Sequence, residues 1–589
     1  MGGREGAAGR LVALVAALLL LGVLVAVDGG IAGEPWRSAA TLPLRAALLV
    51  AGLGLVVVAL GGRATRPAVE WARGDRAALV AITAAAFAIR AWRLDALRVL
   101  IDEGNSIDAL FHAFGTGPAL LLPPSQYVTT MAYPGLQALS VELAGPTLVG
   151  LRLASAALGA VTVPALWWLA RGLFDRPTAF AAAIVLAGFA PHVHFSRVGL
   201  PHIADALFGT LALAGLAAGL AGAGRSVWAA AGVALGLTHY GFEAGRWFFT
   251  PLAVVWLAVL APARRRAAAD GLVTAAAAWL MTVVPIYAAL LAASGASAPR
   301  LTQSALGGAE AVALLGDRAA LGSRLALAAG VFLWQPERAH YYGSDAALLT
   351  PLLAPFAMLG LALSLARPRA PAVLIGLWLV ATWLANVIMR DPAVYARWVV
   401  VLPALALAIG RGVGAATAWA ATARHATAAG AAAVGLAVVL AAAQLHGYFG
   451  GHIAQLAAEV RRAKPERDAI DVALRVDAVR PGAATLVVAE PIADVHPPRS
   501  LLRLLRAGRG EVQFDAAIPS AVDDAFLAAL PTDRDRLFAV APDDRQTVAR
   551  LARCFALDGP HRPAEPLPAD EQLDLYLAPA GSRRPGCGG

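Results

Sequence analysis

Charge is scarce in this sequence. Only 15% of its 589 residues are charged and 59% are hydrophobic, where an average soluble domain carries about 25% charge. With a mean hydropathy of +0.65, the shortage excludes a water-soluble globular chain and points to an integral membrane protein. Cysteine is nearly absent. Cys554 and Cys587 both fall in the polar tail, so a disulfide scaffold is excluded. One bridge between them requires an exported tail, and the sequence does not choose between a bridge and two idle thiols. No close His, Cys or Asp spacing forms a metal motif. There is no internal repeat, which argues against the duplicated halves of many secondary transporters. The formal charge is +9, but the excess arginine lies in short loops between apolar runs, where it sets membrane orientation rather than binding nucleic acid.

What the chain has in abundance is apolar runs long enough to cross a hydrocarbon core of about 30 Å as helix. Thirteen are expected, near 11–27, 42–61, 77–93, 148–170, 178–191, 202–221, 226–240, 247–261, 271–292, 349–366, 371–388, 397–418 and 427–447. The first follows Arg4 and Arg10 and has the flanks of a signal peptide, but no small-residue cleavage site follows it. It is expected to be a retained first helix. With the N-terminus in the cytoplasm, Arg63, Arg66, Arg73, Arg76, Arg171, Arg176, Arg225, the Arg264–Arg266 triplet, Arg367, Arg369, Arg411 and Arg424 all fall on the inner side. The positive-inside rule then orients a multi-pass protein of the cell membrane.

The same threading collects the unusual segments on the outer face. The loop 94–147 opens with "RVLIDEGNSIDALFHAF", three carboxylates (Asp102, Glu103, Asp108) within seven positions. Ile107, Leu110, Phe111 and Phe114 then follow helical spacing, as an interfacial helix would, and residues 135–143 form a second candidate. "PHVHFSRVGLPHIAD" supplies His192, His194, Arg197 and Asp205; "HYGFEAGRWFF" supplies Glu243 and Arg246; "MRDPAVYARW" supplies Tyr395 and Arg397. In the loop 293–348, Glu337, His340 and Tyr341 are further candidates to line a cavity. Beyond residue 448, β-like runs (ATLVVAE, DRLFAVA, LDLYLAP) alternate with helical ones, enough for one small α/β domain outside the membrane.

Each of these polar residues has a bland reading. Asp102 and Glu103 could be an N-cap, and any one histidine is more often a hydrogen-bonded structural residue than a metal ligand. Together they argue for an outward-opening polar cavity, because an ionisable side chain at mid-span costs about 2.5–3.5 kcal/mol and needs a partner or a cavity. Arginine forks match phosphate oxygens, and a carboxylate nearby can take a proton from an attacking hydroxyl. A multi-span transporter or flippase for a lipid-linked or anionic substrate is the alternative. It would concentrate polar residues at mid-span rather than at the outer ends.

"IDEGNSIDAL", "HVHFSRVGL" and the "LRLASAALGAVTVPALWWLARGLF" span, in that order, resemble the GT-C superfamily of membrane glycosyltransferases. The group is that of the protein O-mannosyltransferases and lipid A aminoarabinose transferases, and the resemblance covers roughly residues 75–447. It implies an α-helical polytopic fold of about thirteen spans. N-terminal helices would occupy 1–76, a catalytic membrane domain 77–447, and an extracytoplasmic α/β domain 448–589. It implies an inverting hexosyl- or pentosyltransferase using a polyprenyl-phosphate sugar and a hydroxyl acceptor on protein, glycolipid or wall polymer. By resemblance, Asp102 is the general base, and Glu103 shapes the site. Arg197, Arg246 and Arg397 bind the donor phosphate, and His192, His194, Asp205, Glu243 and Tyr395 line the cavity. No cofactor is certain. A divalent metal stays open, with His192 and His194 as candidate ligands. The first loop reads "SQYVTTMAYPGLQ" where many relatives have a Gly-Arg-Glu-Pro-like segment.

Overall fold

Each of the thirteen expected runs is a helix in the computed structural model. The structure describes all residues but 1, 62–69, 98, 101, 105, 108–109, 111–120, 123–129, 261, 295–303, 338, 340, 344–346, 367–370, 422–425, 464–468, 491, 494, 508–510, 564–571, 586 and 588–589. Asp108, His340 and most of the interfacial helix expected after Ile107 lie outside the described residues.

Contacts divide the chain into two units. Met1–Leu97, Ala109–Leu143 and Leu148–Leu456 form the first; Arg98–Asp108, Ala144–Thr147 and Ala457–Gly589 form the second. In the first unit, seven helices among the described residues are long and apolar enough to cross a membrane, including Leu148–Leu173, His202–Leu220 and Tyr395–Ala420. Four shorter apolar helices accompany them: Arg176–Gly188, Arg225–Leu237, Ala354–Leu365 and Leu374–Val387. Their composition and number make this a multi-span membrane protein.

Lipid offers backbone groups no water, so helix ends must find partners in the protein. Thr41 caps the Leu42–Leu60 helix through the Leu44 amide at 3.4 Å, and Asp175 caps Arg176–Gly188 through the Thr178 amide at 3.0 Å. The first two spans are tied by a buried ion pair. Arg45 Nε meets Asp28 Oδ1 at 2.6 Å, and Asp28 Oδ2 accepts the Leu121 and Leu122 amides at 2.9 and 2.8 Å. Small residues let helices touch backbone to backbone. A Cβ at Gly360 would sit 1.8 Å from the Ala408 carbonyl oxygen, so the Ala354–Leu365 helix crosses Leu402–Ala420 only because glycine is there.

The second expected interfacial helix is present as Ala132–Ala144. Its exposed side carries Leu136, Leu139 and Leu143, while Gln137 and Ser140 point inward. Gln137 donates to the carbonyls of Leu151 and Gly199 (3.3 and 3.1 Å), and Ser140 donates to that of Gly150. Apolar outside and polar inside is the pattern of a helix solvated by lipid.

The second unit holds a five-stranded sheet: β1 (Ala484–Val488), β2 (Phe514–Ala517), β3 (Arg536–Val540), β4 (Asp558–His561) and β5 (Asp574–Ala578). The order is β2-β1-β3-β5-β4. β1 runs parallel to β2 and β3, and β5 runs antiparallel to β3 and β4. The three expected runs are β1, β3 and β5. β1 and β3 are buried along their whole length, as strands covered on both faces must be. The two strands the pattern misses, FDAA and DGPH, are four residues each with little β-propensity. The boundary expected at 448 falls inside a continuous helical run, Ala426–Gly447 leading through a π-helical turn at Tyr448–His452 into Ile453–Ala463.

Cys554 and Cys587, left open by the sequence, form a disulfide. It closes a separation of 33 residues between the end of the Arg545–Cys554 helix and the C-terminus. In the loop-entropy model, a loop of that length stabilises the fold by about 3–4 kcal/mol. Cys554→Ser should therefore lower the thermal midpoint of this domain while the membrane helices keep theirs. The two midpoints are read separately from near-UV and far-UV circular dichroism. An unchanged domain midpoint under strong reductant would remove the bridge from its stability.

Candidate active site

The acid pair belongs to the second unit. Residues 102–104 and 106–107 are helical, and Glu103 is inside that turn. Its amide donates to the Leu100 carbonyl at 3.0 Å, and its Oε2 accepts the Leu100 amide at 2.9 Å. This is the reciprocal half of a capping box, so the modest reading is realised for Glu103, which is fully buried. Asp102 stays partly exposed. The turn is seated on the tail domain: a Cβ at Gly104 would lie 2.4 Å from the Cβ of Pro497. The domain expected to span 77–447 thus gives up this segment to the unit built by the tail.

In the first unit, Asp205 projects from the first turn of His202–Leu220 and reaches the start of a different helix. Its Oδ1 accepts the Phe242 amide at 3.0 Å and its Oδ2 the Gly245 amide at 2.9 Å. The Glu243–Val259 helix has no cap of its own, so Asp205 supplies the acceptor from 37 residues away. A Cβ at Gly245 would fall 2.4 Å from the Asp205 carboxyl carbon, so glycine there is a condition of the cap. The cap sets the turn that carries Glu243 and Arg246. Arg246 Nη2 donates to the His239 carbonyl at 3.2 Å, and its guanidinium lies 5.5 Å from the centre of the Tyr287 ring. His239 is held between the Tyr287 hydroxyl (3.0 Å) and the Thr250 hydroxyl (3.2 Å).

Glu243 helps to line a partly open pocket of about 100 Å³. Phe242, Trp247 and Phe248 give it aromatic walls, and Asn386 and Arg397 add polar groups. Arg397 Nη1 donates to the Asp391 carbonyl at 2.8 Å, and among the described residues no carboxylate forms an ion pair with it. An apolar pocket with a few convergent polar groups is the form that ligand sites take.

Other candidates have structural partners. Arg197 is fully buried and closes the end of the Asp75–Ala91 helix. Nη1 donates to the carbonyls of Ile89 and Arg90 (3.3 and 3.2 Å) and of Trp92, and Nη2 to that of Arg93 at 2.8 Å. A guanidinium among terminal carbonyls is favoured by both hydrogen bonding and the helix dipole. The structure therefore gives Arg197 a different employment from the phosphate contact expected of it. His192 and His194 likewise do not come together as metal ligands. Arg90 Nη2 donates to His192 Nδ1 at 2.8 Å. His194 Nε2 donates to the Tyr341 carbonyl at 2.8 Å, and Tyr448 donates to its Nδ1 at 3.2 Å. Among the described residues no group of three or more His, Cys, Asp or Glu is placed to hold a metal ion.

Tyr395 is fully buried: its amide donates to Glu337 Oε1 at 2.8 Å and its hydroxyl to the Gln335 carbonyl at 2.5 Å. Glu337 Oε2 accepts the amides of Tyr342 and Gly343. Burial pushes the Glu337 carboxyl up to about 7, against the pull of these three donors. Glu337 and Tyr395 thus pin the loop before Arg397. Among the polar residues that went unnoticed in the sequence are Arg90, Arg152 and Asn386. All three lie in apolar runs, and that isolation was the available signal.

Residues 129–289 match the family model of dolichyl-phosphate-mannose-protein mannosyltransferases. No curated protein matches the sequence significantly. The crystal structure of ArnT from Cupriavidus metallidurans bound to undecaprenyl phosphate aligns over 87% of this chain and 100% of its own, at 16% identity and a TM-score of 0.53. The apo form of the same protein aligns over 87% and 99%, at 17% identity and a TM-score of 0.51. The matched segment spans Asp205, Glu243 and Arg246, the residues that build the capped turn beside the pocket. The chain thus shares its fold with ArnT over nearly its whole length, and residues 129–289 are similar to the dolichyl-phosphate-mannose-protein mannosyltransferases.

Proposed function

We propose that the chain is an inverting glycosyltransferase. It moves a sugar from a polyprenyl-phosphate donor to a hydroxyl acceptor on the extracytoplasmic side of the membrane. The observation that carries this reading is the pocket between the start of the Glu243–Val259 helix and the end of the Leu374–Val387 helix. It combines aromatic walls with Arg397, a guanidinium near Asp391 that forms no ion pair at contact distance among the described residues. Such a pocket suits an anionic headgroup joined to an apolar tail. The disulfide in the tail suits an oxidising compartment, and the arginine-rich loops suit the opposite side.

In this mechanism the acceptor oxygen attacks the anomeric carbon from the face opposite the phosphate. The new C–O bond forms as the bond to the phosphate oxygen breaks, which inverts the centre. The lipid phosphate leaves with one more negative charge than it had as a diester. Arg397, with Arg246 on the capped turn, neutralises that developing charge. Asp102 takes the proton from the acceptor hydroxyl. A carboxylate is a weak base for a hydroxyl, so the proton moves late, after the oxygen has gained positive character. Phosphate departure sets most of the barrier.

The purified protein in detergent micelles should transfer sugar from a polyprenyl-phosphate-linked donor to a hydroxyl acceptor and release the bare lipid phosphate. No sealed compartment is needed. If no sugar of a hexose and pentose panel is transferred in micelles, while sealed vesicles show movement of a lipid-linked substrate, the protein is a flippase.

A further inference from the structure

One buried polar atom in this pocket has no explanation in the fold. Asn386 sits in the last turn of the Leu374–Val387 helix, 3% exposed, and lines the pocket with Arg397. Its Nδ2 donates to the Thr382 carbonyl one turn back, at 2.9 Å. That bond decides which way the amide lies. Turning the group over would press Oδ1 against the Thr382 carbonyl, two acceptors face to face. The oxygen is therefore the outer atom, and among the described residues it has no hydrogen-bond partner. A buried acceptor left unmade costs about 1–3 kcal/mol. A helix in an apolar surround would lose nothing by having leucine there.

The neighbouring polar residues do not relieve it. Thr382 spends its own hydroxyl on the Trp378 carbonyl at 2.9 Å, and Arg397 donates to the Asp391 carbonyl. The remaining walls include the rings of Phe242, Trp247 and Phe248. A ligand that satisfies this pocket needs an anion for Arg397, an apolar portion for the rings, and hydrogen-bond donors for the Asn386 oxygen and the Glu243 carboxylate that share its wall. A bare polyprenyl phosphate at neutral pH supplies the first two and lacks the third. A sugar attached to that phosphate supplies them as hydroxyls.

We propose that Asn386 Oδ1 accepts a hydrogen bond from a hydroxyl of the donor sugar, so that this pocket distinguishes the sugar-loaded lipid from the spent lipid phosphate. This rests on the reading of the pocket as a donor site. It makes Asn386 a specificity residue: it holds the loaded donor and gives the spent carrier one fewer reason to stay.

The test measures binding of two kinds of probe to the purified full-length protein. One is undecaprenyl phosphate. The other is undecaprenyl phosphate carrying mannose, glucose, galactose or arabinose. Wild-type protein should bind at least one loaded lipid more tightly than the bare one. Asn386→Leu should weaken that loaded lipid about five- to tenfold, the worth of one neutral hydrogen bond, and leave bare undecaprenyl phosphate where it was. Monodeoxy analogues of the preferred sugar give a second measurement that needs no variant. One of them should lose the same factor with wild-type protein and lose nothing further with Asn386→Leu. Equal weakening of loaded and bare lipid by Asn386→Leu would overturn the proposal, leaving Asn386 a shaping residue. So would full affinity for every monodeoxy analogue, or equal wild-type affinity for loaded and bare lipid. If wild-type protein binds neither lipid, the donor-site reading itself fails and takes this one with it.

Discussion

Asp102→Asn should accumulate in the membrane at wild-type levels and transfer sugar about 10²–10⁴-fold more slowly, the usual worth of a positioned general base. The substitution keeps the size and shape of the side chain and removes its capacity to take a proton. It should leave the local fold intact for a reason visible in the turn. Glu103 holds the turn through its carboxylate, which accepts the Leu100 amide, and the asparagine amide keeps a hydrogen-bonding oxygen where Asp102 has one. The two neighbouring acids therefore separate experimentally. Losing the Glu103 carboxylate loosens a buried turn and lowers protein yield; losing the Asp102 carboxylate lowers turnover. The check is single-turnover transfer from a lipid-linked donor with protein amount measured alongside. Wild-type turnover in Asp102→Asn at normal yield would remove this residue from the chemistry.

Arg397→Ala should lower kcat/KM for the lipid donor by about 10²–10³-fold, the effect of deleting one preorganised group aimed at a developing charge. Turnover should fall as well as affinity, because the leaving phosphate gains charge as the sugar departs and the guanidinium binds it more strongly then than in the ground state. KM for the acceptor should barely change. Arg397→Lys should recover part of the loss, since it restores the charge but not the planar fork. The side chain is well placed for a clean result. Its main-chain neighbourhood is pinned by Glu337, which takes the Tyr395 amide at 2.8 Å, so truncation beyond the Asp391 carbonyl contact leaves the loop held. Unchanged donor kinetics, or equal losses for donor and acceptor, would take the phosphate away from Arg397.

The sequence alone was enough for the positions of the apolar helices and much of the tail; seven of the helices, among the described residues, are long and apolar enough to cross a membrane. All thirteen apolar runs are helices, and three of the five strands lie where short apolar runs were expected. Both are local properties. A segment of about twenty apolar residues has one way to satisfy its backbone in lipid, and a buried strand announces itself in its own five residues. The site was legible only as a set of suspects. Hydropathy marks a polar residue at the end of a span as unusual but carries no information about what it faces. Asp205 looked like an active-site acid and caps a helix that begins 38 residues later. Arg197 looked like a phosphate ligand and closes a helix more than 100 residues earlier. Asn386 looked like nothing and lines the pocket.

What the sequence determined by itself is where the apolar helices form, which loops carry positive charge, and which kind of small domain ends it. Tertiary structure decided which polar group each ionisable residue meets, that the acid pair joins the tail domain rather than the helices around it, and that the two cysteines find each other. The reason is physical. Transfer of an apolar segment into lipid is a property of that segment, summed over neighbours in the chain. The partner of a buried charge is chosen by how helices far apart in sequence pack, which no stretch of the chain encodes alone.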